Sequence, residues 1–189
     1  DNFTVEIWNE VDPGWDKNVF TQTEAITSVI VLAVIGSLSA IKNNFKGFWA
    51  VNGIIGAVFL ITAIATLLFQ KHIISPFFWM LLLGTGLFLA YMPMQIALFE
   101  RLIAHFRIKA NAGFFVYICD SIGYLGSVVL MLYKEFFMKE MNWSVVLMKF
   151  TYFQSVISLL LLAGACIFFF RSAVRAKGSI LPAAGTPNV

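Results

Sequence analysis

Apolar residues in this chain fall in long unbroken runs, at 25–41, 48–69, 76–99, 112–133 and 143–170. They do not recur at the 3.6- or 2.0-residue period of a half-buried helix or strand. Each run reaches or approaches the roughly 20 residues that cross about 30 Å of hydrocarbon at 1.5 Å per residue. Barrel strands are about half as long and alternate apolar with polar. The pattern therefore predicts an all-α integral membrane protein of about five transmembrane helices, here spans A to E.

The breaks are short and carry turn formers and charge: Lys42-Asn43-Asn44, Gln70-Lys71-His72 with Ser75-Pro76, Arg107-Ile108-Lys109, and the stretch from Lys134 to Asn142. Short connections imply antiparallel neighbours. The expected organisation is an extracytoplasmic acidic segment at 1–24, the five-helix bundle at 25–171, and a disordered tail at 172–189. Composition agrees with the pattern: 60% of the residues are hydrophobic and 12% charged, against about 25% charged in soluble domains.

Lys and Arg near span ends are retained in the cytoplasm. Eight lie on one side (Lys42, Lys46, Arg101, Arg107, Lys109, Arg171, Arg175, Lys177) and four on the other (Lys17, Lys71, Lys134, Lys139). This places the N-terminal end outside and the C-terminus inside. The acids Asp1, Glu6, Glu10, Asp12, Asp16 and Glu24 against one lysine fit an outside segment. That segment has neither the basic nor the apolar region of a signal peptide. The chain is therefore expected to be the C-terminal portion of a longer protein, whose N-terminal half is its first partner, with membrane lipids around both.

Polar groups within a span are costly and tend to face a cavity or a partner. Asp120 lies about 12 Å into span D at 1.5 Å per residue. Helical spacing puts Tyr117, Asp120, Tyr124 and Ser127 on one face. As function, Asp120 is a proton or cation carrier with the tyrosines as partners. As structure, Gly123, Gly126 and Ser127 let another helix approach and Asp120 completes a buried hydrogen-bond network. In span C, Pro93 removes the hydrogen bond to the Leu89 carbonyl and bends the helix, so Tyr91 and Gln95 either line a cavity with Asp120 or belong to an ordinary kink. On span E, Thr151, Gln154, Ser155 and Ser158 cluster on one side, and Gln154 joins the candidate pathway. Lys149 projects from the other side and either snorkels to the outer headgroups or serves as counter-charge to Asp120, about 10 Å away in height at 1.5 Å per residue. Glu100, Arg101, Arg107 and Lys109 form a loop that gates, or anchors the chain to anionic lipid.

Other chemistry is not indicated. Cys119 and Cys166 lie within spans D and E without a second Cys or His at ligand spacing and read as buried thiols. His72 and His105 sit at helix ends on opposite sides of the membrane. There is no phosphate loop, no Ser-His-Asp set, no metal-spaced cluster and no nucleic-acid patch. Neither a cofactor nor an enzymatic activity is expected.

Several segments carry a resemblance: Asp1 to Trp8, Ile41 to Asn44, Leu89-Ala90-Tyr91-Met92-Pro93, Leu98 to Ala104, and above all Asn111 to Phe114 followed by Asp120-Ser121-Ile122-Gly123-Tyr124-Leu125-Gly126-Ser127. Nearly the whole chain resembles an uncharacterised bacterial membrane-protein family, domain of unknown function 5690, which is similar to the major facilitator superfamily. The resemblance implies a bacterial inner-membrane protein in which spans A to E are the eighth to twelfth of twelve, with residues 1 to about 10 at the outer end of the seventh. The A–B loop lacks the Gly-x-x-x-Asp-Arg-x-Gly-Arg pattern of many facilitators, and the family brings no assigned substrate. The expected function is a secondary transporter half for a small solute and a proton; the alternative is a non-transporting scaffold or sensor that retains the fold.

Overall fold

The computed structural model describes residues 4–106, 109–137 and 142–178, and all their regular structure is helical. In chain order the elements are α1 (Thr4–Val11), α2 (Lys17–Ser39), α3 (Asn44–Gln70), α4 (Pro76–Pro93), a π-helical segment (Met94–Leu98), α5 (Phe99–Phe106), α6 (Ala112–Phe137) and α7 (Trp143–Gly178). Among the described residues, five stretches are long and apolar enough to cross a membrane: Asn18–Ser39, Asn44–Gln70, Pro76–Ala104, Ala112–Tyr133 and Trp143–Arg171.

Helix boundaries differ from the apolar runs because polar chemistry sets them. α2 starts at Lys17, well before the apolar run, since Asp16 caps it: the Asp16 carboxylate accepts from the Asn18 backbone N–H at 3.3 Å and from Asn18 Nδ2 at 2.9 Å. Asn43 caps α3 through Lys46 N–H at 3.1 Å, and Pro76 opens α4 at a position where no N–H is needed. α3 closes with His72 at φ 55°, where His72 N–H donates to the Phe69 carbonyl (2.9 Å) and Ile73 N–H to the Leu68 carbonyl (3.0 Å). This is the left-handed Schellman closure that usually uses glycine. α7 stays helical through Gly178, into the segment expected to be a tail; residues 179–189 lie outside those described.

α3 is the central helix. Its buried residues Phe48, Val51, Asn52, Ile55, Val58, Thr62, Ala65 and Thr66 follow i, i+3, i+4 spacing along its whole length. It packs against α4, α7 and α5, while α2 packs against α4 and α1 against α7. In lipid, apolar burial gives helices little reason to associate, so close fit and interhelical hydrogen bonds hold them. Gly86 of α4 supplies the fit, because a Cβ there would collide with the Thr62 methyl of α3. Hydrogen bonds join Thr27 to Thr85 Oγ1 to Oγ1 at 3.0 Å, and Trp79 Nε1 donates to Thr66 Oγ1 at 3.2 Å. The Trp79 indole is fully buried and stacks on Phe69 with ring centroids 4.1 Å apart.

Two long-range caps tie the ends of the bundle. The Glu10 carboxylate accepts the backbone N–H groups of Trp143 and Ser144, each at 2.8 Å, and so caps α7 from α1. At the opposite end Arg101 donates from Nη2 to the Leu38 carbonyl (2.9 Å) and from Nη1 to the Ile41 carbonyl (3.0 Å), closing α2. The guanidinium crosses α3 over Gly47, where a Cβ would occupy the place of Nη1. α6 stands apart: its strongest packing is with α5, and most of its surface is open.

Candidate polar site inside the membrane

Pro93 has no N–H to continue the α-helical ladder, and the chain beyond it takes one π-helical turn over Met94–Leu98 before α5 resumes. Helical structure thus continues from Pro76 to Phe106, with a change of helical pitch next to Pro93. Gln95 sits in that π turn and Tyr91 in the last α-helical turn before it.

Both side chains reach Asp120 on α6. Tyr91 Oη donates to Asp120 Oδ1 at 2.7 Å, and Gln95 Nε2 donates to the same oxygen at 2.6 Å. Among the described residues Oδ2 receives no hydrogen bond. At 1.5 Å per residue Asp120 stands about 12 Å into α6, and it is half-buried. Hydrogen bonds onto an ionised carboxylate are shorter and stronger than neutral ones. Two neutral donors satisfy one of its oxygens and leave the other available to a proton or a solute.

The remaining expected site residues divide into separate places. Tyr117 and Tyr124 are each 75% exposed and flank Asp120 on the open face of α6 without bonding it. Gly123 and Gly126 have no atom within 4 Å of an added Cβ, and Ser127 Oγ donates to the Gly123 carbonyl at 3.1 Å. These small residues therefore support no helix contact among the described residues. Gln154 is not part of the Asp120 cluster; it lines a cavity between α3, α4 and α7 with Thr62, Thr151 and Ser155. Sequence spacing orders residues around one helix but does not say which neighbour each face meets.

Glu100 and Arg101 are helical residues of α5, not loop residues. They line a cavity of about 180 Å³ with Ser39 and Pro93, and the Arg101 guanidinium donates to the Leu38 and Ile41 carbonyls at the end of α2. Lys109 is exposed, and Arg107 lies outside the described residues. Lys149 is exposed, on the side of α7 away from buried Thr151 and Ser155. Cys119 and Cys166 are free and half-buried rather than buried. Sequence reading missed Glu10 and the Arg101 cap. An acid in the first helix and an arginine after an apolar run carry no mark of a partner 133 and 63 residues away.

Five long apolar helices among the described residues, with a carboxylate held between two of them, define a multi-pass all-α membrane protein. Residues 1–172 match the family described as a family of unknown function (DUF5690), and the chain belongs to that family. No curated protein and no solved structure matches the chain.

Proposed function

We propose that this chain forms part of a proton-coupled secondary transporter of a small solute, with Asp120 as the group that carries the proton. The observation behind this reading is the Asp120 carboxylate within a span, held on one oxygen by Tyr91 and Gln95 from a π-broken helix. A carboxylate that gains a proton becomes neutral and weakens its hold on both donors. Proton binding would thereby loosen α6 from the α4–α5 segment, which couples protonation to helix movement. Transporters commonly place their sites near mid-bilayer where a helix is interrupted, and the π turn beside Gln95 is such an interruption. In this reading the first α-helical half of the same protein faces Tyr117 and Tyr124, the five spans correspond to the eighth to twelfth of a major facilitator fold, and the C-terminal end faces the cytoplasm of a bacterial inner membrane.

A second reading, a non-transporting scaffold or sensor, draws on the uncovered Gly123, Gly126 and Ser127 surface, whose small residues would admit another helix. Uptake into proteoliposomes holding the full-length protein separates the two. Sugars, peptidoglycan fragments and organic acids are screened with and without a pH gradient, alongside Asp120→Asn. Proton-driven accumulation lost in the variant supports transport through Asp120. Accumulation that Asp120→Asn leaves intact removes the proton role, and silence across the panel with verified folded protein favours the scaffold.

A further inference from the structure

Tyrosines surround the one carboxylate that the spans hold between two helices. Tyr91 and Gln95 both bond Asp120 Oδ1, and among the described residues Oδ2 receives no hydrogen bond. Tyr117 and Tyr124 precede and follow Asp120 by about one helical turn and so share its face of α6. Tyr117 and Tyr124 are each 75% exposed and Tyr91 is 42% exposed, so their rings are open to a ligand.

The charge in this region is unbalanced. Both groups that bond Asp120 are neutral donors. Lys149 of α7 is exposed and makes no ion pair with Asp120 among the described residues. On α5, Arg101 donates to the Leu38 and Ile41 carbonyls, and it lines the cavity beside α2 together with Glu100. The titratable groups of α6 beside Asp120 are Tyr117, Cys119 and Tyr124, and a phenol or thiol brings no positive charge in either of its forms.

An ionised carboxylate within a span is costly without a counter-charge. It is relieved by taking up a proton or by pairing with a cation, and Oδ2 is the atom open to either. An anionic solute would be repelled, and an uncharged one would leave the charge standing. Tyrosine ring faces attract ammonium groups, and two such rings flank the carboxylate. We propose, resting on the transporter reading above, that the Asp120 site takes an organic cation of the ammonium type, which competes with the proton for the one carboxylate. Coupling is then exchange: each ligand displaces the other, and a proton moving one way drives the cation the other way.

Equilibrium binding to the full-length protein in nanodiscs, measured across pH 5 to 8 with choline, tetraethylammonium and tetraphenylphosphonium, tests this. Their charge is permanent, so any pH dependence belongs to the protein. At least one should bind, and its affinity should weaken by up to about ten-fold per pH unit as pH falls through the titration of the carboxylate. Asp120→Asn should lose both the affinity and its pH dependence, while Tyr124→Phe, which keeps the ring, should bind better than Tyr124→Ala. Dimethylbutanol, the uncharged isostere of choline with carbon in place of nitrogen, should not bind. Absence of binding by all three cations overturns the proposal, as does pH-independent binding to the wild type, whatever the folding of the variants. Proton-driven uptake of an uncharged or acidic solute, lost in Asp120→Asn, would then leave the transporter reading standing without a cation site; silence there as well would remove both.

Discussion

Glu10 and Trp143 lie 133 residues apart, and the Glu10 carboxylate accepts the Trp143 N–H at 2.8 Å while its second oxygen takes Ser144 N–H at the same distance. A carboxylate on the exposed first N–H groups of a helix satisfies orphan donors and complements the helix dipole. Glu10→Ala should lower stability by about 1 kcal/mol, the usual size of a lost N-cap. Glu10→Gln should fall between the two, because its amide retains one acceptor oxygen. Equilibrium unfolding in detergent micelles measures both, and an unchanged Glu10→Ala midpoint would remove the cap from the list of stabilising contacts.

Arg101 and Gly47 make a sharper case because the expected effect changes sign. The guanidinium occupies the space a Gly47 side chain would need, so Gly47→Ala in the wild type should displace Arg101 from the Leu38 and Ile41 carbonyls and cost about 1–2 kcal/mol. In an Arg101→Ala background the same change meets an empty space. Alanine exceeds glycine in helix propensity by about 1 kcal/mol, and Gly47→Ala should then stabilise. A double-mutant cycle on the unfolding free energies reads the reversal, and equal effects in both backgrounds would contradict it.

His72 closes α3 at φ 55°, in the left-handed region that side chains other than glycine enter only at a cost. His72→Gly should raise stability by about 1 kcal/mol, and His72→Ala should not. The exposed position makes packing changes small. A lower melting temperature for the glycine variant would show that the imidazole has a contact of its own.

Tyr91, Gln95 and Asp120 can be tested for structure apart from transport. Asn at position 120 keeps an oxygen for both donors, so Asp120→Asn should shift unfolding by less than about 0.6 kcal/mol, near the average for hydrogen bonds between membrane helices. Asp120→Leu leaves both donors without their acceptor and should cost more. If Asn and Leu destabilise equally, the carboxylate charge rather than the acceptor holds α6 to the α4–α5 segment, and a loss of uptake in Asp120→Asn would then reflect a weakened fold.

Much of the architecture was legible in the sequence because crossing a bilayer is a local property. Length and apolar content decide it residue by residue, so the five spans, their short connections and the interruption at Pro93 could be read directly. The contact of Asp120 with Tyr91 and Gln95 was legible for a related reason: few polar groups stand at that depth, and those few tend to meet. Pairing by scarcity stops at Gln154, since Thr151 and Ser155 on α7 and Thr62 on α3 gather it at another place.

The sequence by itself determined which segments enter the membrane and which residues are too polar to face lipid there. Only the tertiary structure decided that Glu10 caps α7, that Arg101 closes α2 across Gly47, and that Ser155 is buried against the neighbouring helices. Each of these depends on the rotation and offset of one helix against another. Close packing of Gly86 on Thr62 and the stacking of Trp79 on Phe69 help set that arrangement, and nothing in the spacing of either helix alone specifies its partner.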